Sequence, residues 1–212
     1  GSGTQIYFNE MAPIGGIDMS YSVNECVACS SVFADNLPSE EDYTAYYSTF
    51  SKYDLSPTDA ASETAGVHEF LADMIMRHVP AESAILDIGC GCGHLLYCLK
   101  KRGATRLSGL DPAPNAGCLA AMHYGLGDVR QGFISKSGAG FGRNTFDVIC
   151  FSAVLEHLSD VFGVLEISLA ATKPGGWLAI EVPDVDAFDG VHCEPYGELS
   201  LEHINYFSQQ SM

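Results

Sequence analysis

Residues 84–93 decide the fold: Ala84-Ile85-Leu86-Asp87-Ile88 is followed at once by Gly89-Cys90-Gly91-Cys92-Gly93. The first five form a short apolar run broken by one acid, which reads as a buried strand. Three glycines in the next five residues permit a turn with positive φ and let a ligand lie against bare backbone. A helix from Leu95 to Arg102 follows, so its first N–H groups point into the same crevice. Eighteen residues beyond Gly93, a second strand from Arg106 to Leu110 leads into Asp111. A carboxylate there can accept both ribose hydroxyls of a nucleoside.

The alternation continues on both sides. Upstream, Val67, Phe70, Leu71, Met74, Ile75 and His78 recur at helical spacing until Pro80 stops the helix. Downstream come a helix from Asn115 to Tyr124, a weak strand from Val129 to Gly132 and a strong one from Phe146 to Ser152. A helix from Asp160 to Thr172 has Ser159 as its N-cap. The turn Lys173-Pro174-Gly175-Gly176 precedes a fifth strand, Trp177 to Val182. The pattern predicts an α/β fold: a Rossmann-like, mostly parallel sheet in the order 3-2-1-4-5, flanked by helices joined by right-handed crossovers. Residues 56–212 form this core. Residues 1–55 form a small N-terminal element with Cys26, Cys29 and a Tyr-rich stretch, Tyr43, Tyr46, Tyr47 and Tyr53. Gly1-Ser2-Gly3 looks like a cloning scar and is set aside.

Composition excludes several classes. The chain has 212 residues, 47% of them hydrophobic and only 17% charged, too few charges for disorder. Twenty-seven acids against ten bases give a net charge of -17, which repels phosphate backbones and anionic lipid. Nucleic acid and membrane are therefore not expected partners. No apolar run approaches the roughly 18 residues of a membrane span, and the start of the chain lacks the pattern of a secretory leader. Of eight cysteines, Cys90, Cys92, Cys98, Cys118 and Cys150 fall within the α/β core. They read as free thiols in a reducing, cytoplasmic setting.

A dinucleotide site wants G-x-G-x-x-G, whereas the spacing here is G-x-G-x-G followed by His94. A nicotinamide-dependent enzyme is thus the alternative rather than the first reading. The set of motifs resembles the class I S-adenosylmethionine-dependent methyltransferases. The likeness runs through Leu86-Asp87-Ile88-Gly89-Cys90-Gly91, the acid Asp111, Phe146-Asp147-Val148-Ile149, Leu155-Glu156-His157-Leu158, Pro174-Gly175-Gly176-Trp177 and Glu202-His203-Ile204-Asn205-Tyr206-Phe207-Ser208. It covers about residues 60 to 208. It implies S-adenosylmethionine as cofactor and methyl transfer to carbon or oxygen of a small molecule such as a sugar nucleotide, lipid-like compound or secondary metabolite. A cofactor-binding module without catalysis is the third reading.

The resemblance also implies roles. Gly89, Cys90 and Gly91 face the methionine part through backbone, and Asp87 supports that loop near the amino group. Asp111 holds the ribose, with Pro112 beside the adenine. Gly132 and Phe133 stand where relatives contact adenine, although Gln131 replaces a frequent acid there. Ser152 and Ala153 line the cofactor. His157 and His203 are the candidate bases, with Glu156 to orient them. Some quinone O-methyltransferases resemble this strand end and bind a metal through an additional acid three residues before the Glu-His pair. Ala153 stands there instead, so no metal is expected. The N-terminal stretch is similar to the zinc-bearing leader of some sugar and natural-product methyltransferases, which carry two Cys-x-x-Cys pairs. Cys26 and Cys29 supply only two of the four ligands that a structural zinc needs, so a complete zinc site within the chain is not expected. The family's sheet normally has seven strands, and a C-terminal hairpin is not seen after Val182. The chain is therefore expected to be a fragment whose fifth strand presents an edge through which it could dimerise.

Overall fold

The structure is a computed structural model that describes residues 3–10, 20–39, 42, 57–134, 141–188 and 202–212. The Tyr-rich stretch lies outside the described residues except at its acidic start. Two compact units are present: residues 46–152 with 160–181, and residues 1–45 with 153–159 and 182–212.

The first of these carries the parallel sheet. Its strands are β4 (Ala84–Ile88), β5 (Arg106–Asp111), β6 (Val129–Gln131), β7 (Phe146–Ser152) and β8 (Thr172–Glu181), in the order β6-β5-β4-β7-β8. That is the 3-2-1-4-5 order read from the sequence. All five residues of β4 are buried, as its central place between two parallel neighbours requires. Ile85 stands opposite Leu107 on one side and Val148 on the other. The order reverses at β4, so the crevice at its carboxyl end is the switch point where such sheets bind ligands.

The helices are α1 (Pro57–Met76), α2 (His94–Lys101), α3 (Ala116–Tyr124) and α4 (Val161–Ala171). In α2, Leu95, Leu96, Cys98 and Leu99 are buried, each fully buried Leu contributing about 2 kcal/mol. Its last turn carries Lys100 and Lys101, which complement the helix dipole. The Lys100 ammonium donates to the carbonyls of Tyr124 (3.0 Å) and Gly125 (2.9 Å), closing the end of α3.

Several local expectations are corrected. In α1 the core face is Leu71, Ala72 and Ile75, while Phe70 is 69% exposed; the periodicity identified the helix but drew its apolar face too wide. Asp160, not Ser159, is the N-cap of α4, accepting from the Gly163 amide at 2.9 Å. Cys118 is exposed, unlike buried Cys90, Cys98 and Cys150; all seven described cysteines are free. Strand β8 begins at Thr172, five residues earlier than expected, and the Pro174–Gly176 turn survives as a register shift: Phe146 faces Thr172, but Val148 faces Trp177. A side chain on Gly176 would stand 2.7 Å from the Asp147 carbonyl, so glycine is required there. Asp147 itself accepts from the Ala84 amide (2.8 Å) and from Lys173 (2.7 Å), tying β7 to the start of β4.

The other unit is an antiparallel sheet, invisible in the hydropathy pattern. It holds β1 (Gly3–Asn9), β2 (Tyr21–Cys26), β3 (Val32–Asp35) and β9 (Asn205–Tyr206), in that order. Gly3, set aside on sequence grounds, pairs with Cys26. The stretch after Val182, read as loop, supplies β9 against β3. Residues 155–158 are bound to the same strand: Ile204 donates to the Glu156 carbonyl (2.6 Å), and the Asn205 amide to the Leu155 and Leu158 carbonyls (3.1 and 2.8 Å).

Candidate active site

The glycine turn follows β4 with Gly89, Gly91 and Gly93 all at positive φ (70°, 52° and 87°). The Gly89 amide donates back to the Leu110 carbonyl at 2.8 Å, and Gly93 to Cys90 at 2.8 Å. Asp111 closes the loop from β5. One carboxylate oxygen accepts from the Gly91 amide (2.7 Å), the other from Ala113 (2.8 Å). Each oxygen keeps a second acceptor site. A Cβ on Gly91 would meet nothing within 4 Å, so its backbone is open to a ligand. The Cys90 sulfur turns inward, 2.6 Å from where a Cβ on Gly109 would stand; only the backbone of Cys90 can serve a ligand. These residues fit the nucleoside that the spacing predicts and the S-adenosylmethionine that the resemblance implies.

Replacing Gly93 by alanine would force a Cβ to 2.7 Å from Leu126 in a left-handed backbone. The expected loss is about 1–3 kcal/mol, seen as a Tm lowered by roughly 3–10 °C; an unchanged melting curve would refute the loop geometry.

The loop holds a buried acid pair. Asp87 is 2% exposed and Asp111 6%. Burial, and then the neighbouring Asp111, pushes the Asp87 carboxyl up to about 8. Burial also raises Asp111, opposed by the amides of Ala113 and Gly91. At the end of β6, the Gln131 side chain donates to the Pro112 carbonyl (3.2 Å) and the Gly132 amide to Asp111 (2.9 Å). Phe133 is half-exposed. Ser152 donates to Glu181 at 2.8 Å, and Ala153 has a positive φ of 53°.

The candidate bases belong to the other unit. The structure brings Glu156, His157 and His203 together, with one ligand atom of each within 4.8 Å of the others. His157 Nδ1 lies 2.6 Å from the Glu202 carbonyl. A carbonyl only accepts, so Nδ1 carries the proton and Nε2 the lone pair. Nε2 stands 4.0 Å from buried Glu156. The His203 ring packs edge-on at 5.0 Å. Two imidazoles and a carboxylate suit Zn²⁺ or Fe²⁺ in chemistry, and a ligating His usually donates its other N–H to such a carbonyl. Sequence reasoning named both histidines but missed this ligand set, because Ile204–Tyr206 only approach residues 155–158 through long-range hydrogen bonds.

Cys26 and Cys29 flank the β2–β3 turn. Cys29 is exposed, and its hydrogen bond to Ser31 (3.3 Å) lowers its thiol. Among the described residues no third ligand joins them.

A further pair escaped the sequence reading. His68 of α1 and His94, the first residue of α2, touch through Nδ1 atoms at 2.9 Å. Burial, and then His94, pushes His68 down to about 4. The unfolded chain takes up a proton near 6.5 that the folded chain refuses until about 4. Stability from this site is therefore full above pH 6.5 and lost as pH falls through that window, by about 2–3 kcal/mol. Urea titrations at stepped pH should show wild type losing this much more stability than His68→Gln as pH falls from 6.5 to 4, on top of the slope that Asp87 and the other groups give both proteins. The same total slope in the variant would exclude His68 as a source.

A cavity of about 440 Å³ is lined by Ala84, Arg106, Ser108, Arg130, Phe141 and Phe146 among others. It opens at the starts of β4, β5 and β7, the end opposite the acid pair, and is not the ligand crevice of such a sheet.

The profile of a methyltransferase domain family matches residues 64–212. The chain belongs to the class I S-adenosylmethionine-dependent methyltransferases. Family members use S-adenosylmethionine as methyl donor, in agreement with the glycine turn and Asp111. Among curated relatives, a ubiquinone biosynthesis O-methyltransferase of Methylobacterium nodulans is 32% identical over 118 residues, covering 50% of this chain and 47% of that protein. One from Methylocella silvestris is 35% identical over 126 residues, covering 50% and 48%. The chain thus spans about half the length of the curated relatives it matches. Among solved structures, a methyltransferase of Haloferax volcanii, solved with a methyltransferase activator, has a TM-score of 0.58 at 21% identity, covering 74% of this chain and 70% of that one. A methyltransferase of Thermotoga maritima has 0.55 at 20% identity, covering 73% of each. At these identities the two structures establish the fold.

Proposed function

We propose that this methyltransferase transfers a methyl group to carbon or oxygen of a small-molecule acceptor. The observation that carries the reading is the glycine turn closed by Asp111, which fits the donor. S-adenosylmethionine supplies an already electrophilic methyl carbon. The chain's own work is to hold donor and acceptor in line and to exclude water, worth about 7–11 kcal/mol, and to take a proton where the acceptor must lose one. Gly89, Cys90 and Gly91 face the methionine part through backbone, and Asp87 supports that loop near the amino group. Asp111 holds the ribose, Pro112, Gly132 and Phe133 flank the adenine, and Ser152 and Ala153 line the donor. His157 is the base: its Nδ1–H donates to the Glu202 carbonyl behind it, which leaves the lone pair on Nε2; Glu156 steadies the imidazolium, and His203 shares the task or contacts the acceptor.

Incubation with methyl-labelled S-adenosylmethionine and panels of phenolic, enolic and keto-sugar acceptors tests this. Label in an acceptor supports transfer. Donor binding without transfer across the panels favours the non-catalytic module, and binding of a nicotinamide nucleotide instead favours the alternative enzyme. A second reading rests on the Glu156–His157–His203 geometry: a divalent metal there, in place of a free base, lowering the acceptor hydroxyl's pKa. Transfer abolished by chelator and restored by Zn²⁺ or Fe²⁺ selects it; transfer indifferent to chelator selects the base. The net charge of -17 disfavours nucleic acid, and no helix among the described residues is long and apolar enough to cross a membrane. A cytoplasmic setting suits the free thiols, and the β8 edge, with Trp177 half-exposed, is the proposed dimer contact.

A further inference from the structure

Asp87 is an anomaly in the donor site. It sits at the carboxyl end of the central strand, 2% exposed, and among the described residues its carboxyl has no hydrogen-bond partner. What faces it is acidic or neutral: Asp111 from β5, Cys90 from the glycine turn and Cys150 from β7. Cys92 faces Asp111. No Lys, Arg or His among the described residues contributes to its electrostatics. A lone buried carboxylate without a partner is unfavourable, and beside a second carboxylate more so. Burial beside a second carboxylate favours the protonated form of Asp87, while the two backbone donors on the Asp111 oxygens favour its ionised form.

The methyl donor brings a sulfonium and an ammonium against one carboxylate, a net single positive charge. The demethylated product has a neutral sulfur and no net charge. We propose that Asp87 is a proton-coupled selector of donor over product: it releases its proton to solvent as the cationic donor enters and takes one back once the sulfonium charge is gone. The inference rests on the donor assignment and adds to it a reason for product to leave. The proton balance is one carboxyl proton out on donor binding and one in on product formation.

Linkage fixes the sign. Binding that releases about one proton strengthens about tenfold for each pH unit gained below the carboxyl's own titration. Donor affinity should thus rise about a hundredfold from pH 6 to 8, while product affinity rises less steeply. Calorimetry of the wild-type protein in buffers of different ionisation enthalpy reads the proton count directly. Infrared difference spectra add a readout without any variant: a protonated-carboxyl band should disappear on donor addition and persist with product. In Asp87→Asn the pH slope should vanish and the donor-to-product preference shrink at least tenfold. Donor binding with no proton release, or a carboxylate already ionised before donor is added, overturns the inference. Failure of the wild-type protein to bind donor at any pH overturns the donor assignment beneath it instead.

Discussion

Asp111→Ala is expected to weaken S-adenosylmethionine binding by about a hundredfold to a thousandfold, from charge-assisted bonds worth about 1.5–3 kcal/mol each. The side chain works in two directions. Its oxygens already fasten the Gly91 and Ala113 amides, which keeps the glycine turn pressed against β5, and their remaining acceptor sites are what the ribose hydroxyls would use. Alanine removes both, leaving the Gly91 and Ala113 N–H groups without their acceptor and the nucleoside without its anchor. Asp111→Asn, which keeps one acceptor oxygen, should fall between the two. Titration calorimetry on the three proteins decides the matter: equal affinities would remove Asp111 from the donor site.

For turnover the largest effect is expected at His157. Its asparagine variant should lose about a hundredfold to ten-thousandfold in kcat, the usual worth of a positioned general base, with donor affinity unchanged. The Glu202 carbonyl at 2.6 Å fixes which nitrogen accepts. At saturating donor, kcat should accordingly fall when the ring takes up a proton, and that fall should be absent from the variant. His203→Asn should be milder if His203 only contacts acceptor, raising KM more than it lowers kcat. Loss of donor affinity in step with kcat would mark either histidine as a structural residue; an intact His157→Asn enzyme would end its assignment as base.

Much of the fold was legible because parallel strands buried on both faces leave continuous apolar runs, and the turns between them leave glycines. Ala84–Ile88 and Phe146–Ser152 stood out for this reason, and the acid at the end of β5 could be counted from the glycine turn. Boundaries were less legible. The carboxylate of Asp160 outcompeted Ser159 for the helix cap because it reaches the Gly163 amide, and the start of β8 was hidden by a bulge whose residues look like a plain turn. The antiparallel sheet was missed altogether. Its β2 has Tyr21, Ser22, Val23 and Asn24 all buried, so the two-residue alternation that betrays a half-exposed strand is absent.

The sequence alone thus determined the order of the parallel sheet, the glycine turn with its ribose acid, and the names of both histidines, since each rests on residue type and local spacing. Tertiary structure alone decided the states of those residues. It set Glu156 and His157 against His203 through hydrogen bonds from the Ile204 backbone and the Asn205 side chain, and it joined His68 to His94. It also buried Asp87 beside Asp111 with no cation among the described residues to pair it. Charge state and proton position depend on burial and on neighbours remote in the chain, and local spacing carries no record of either.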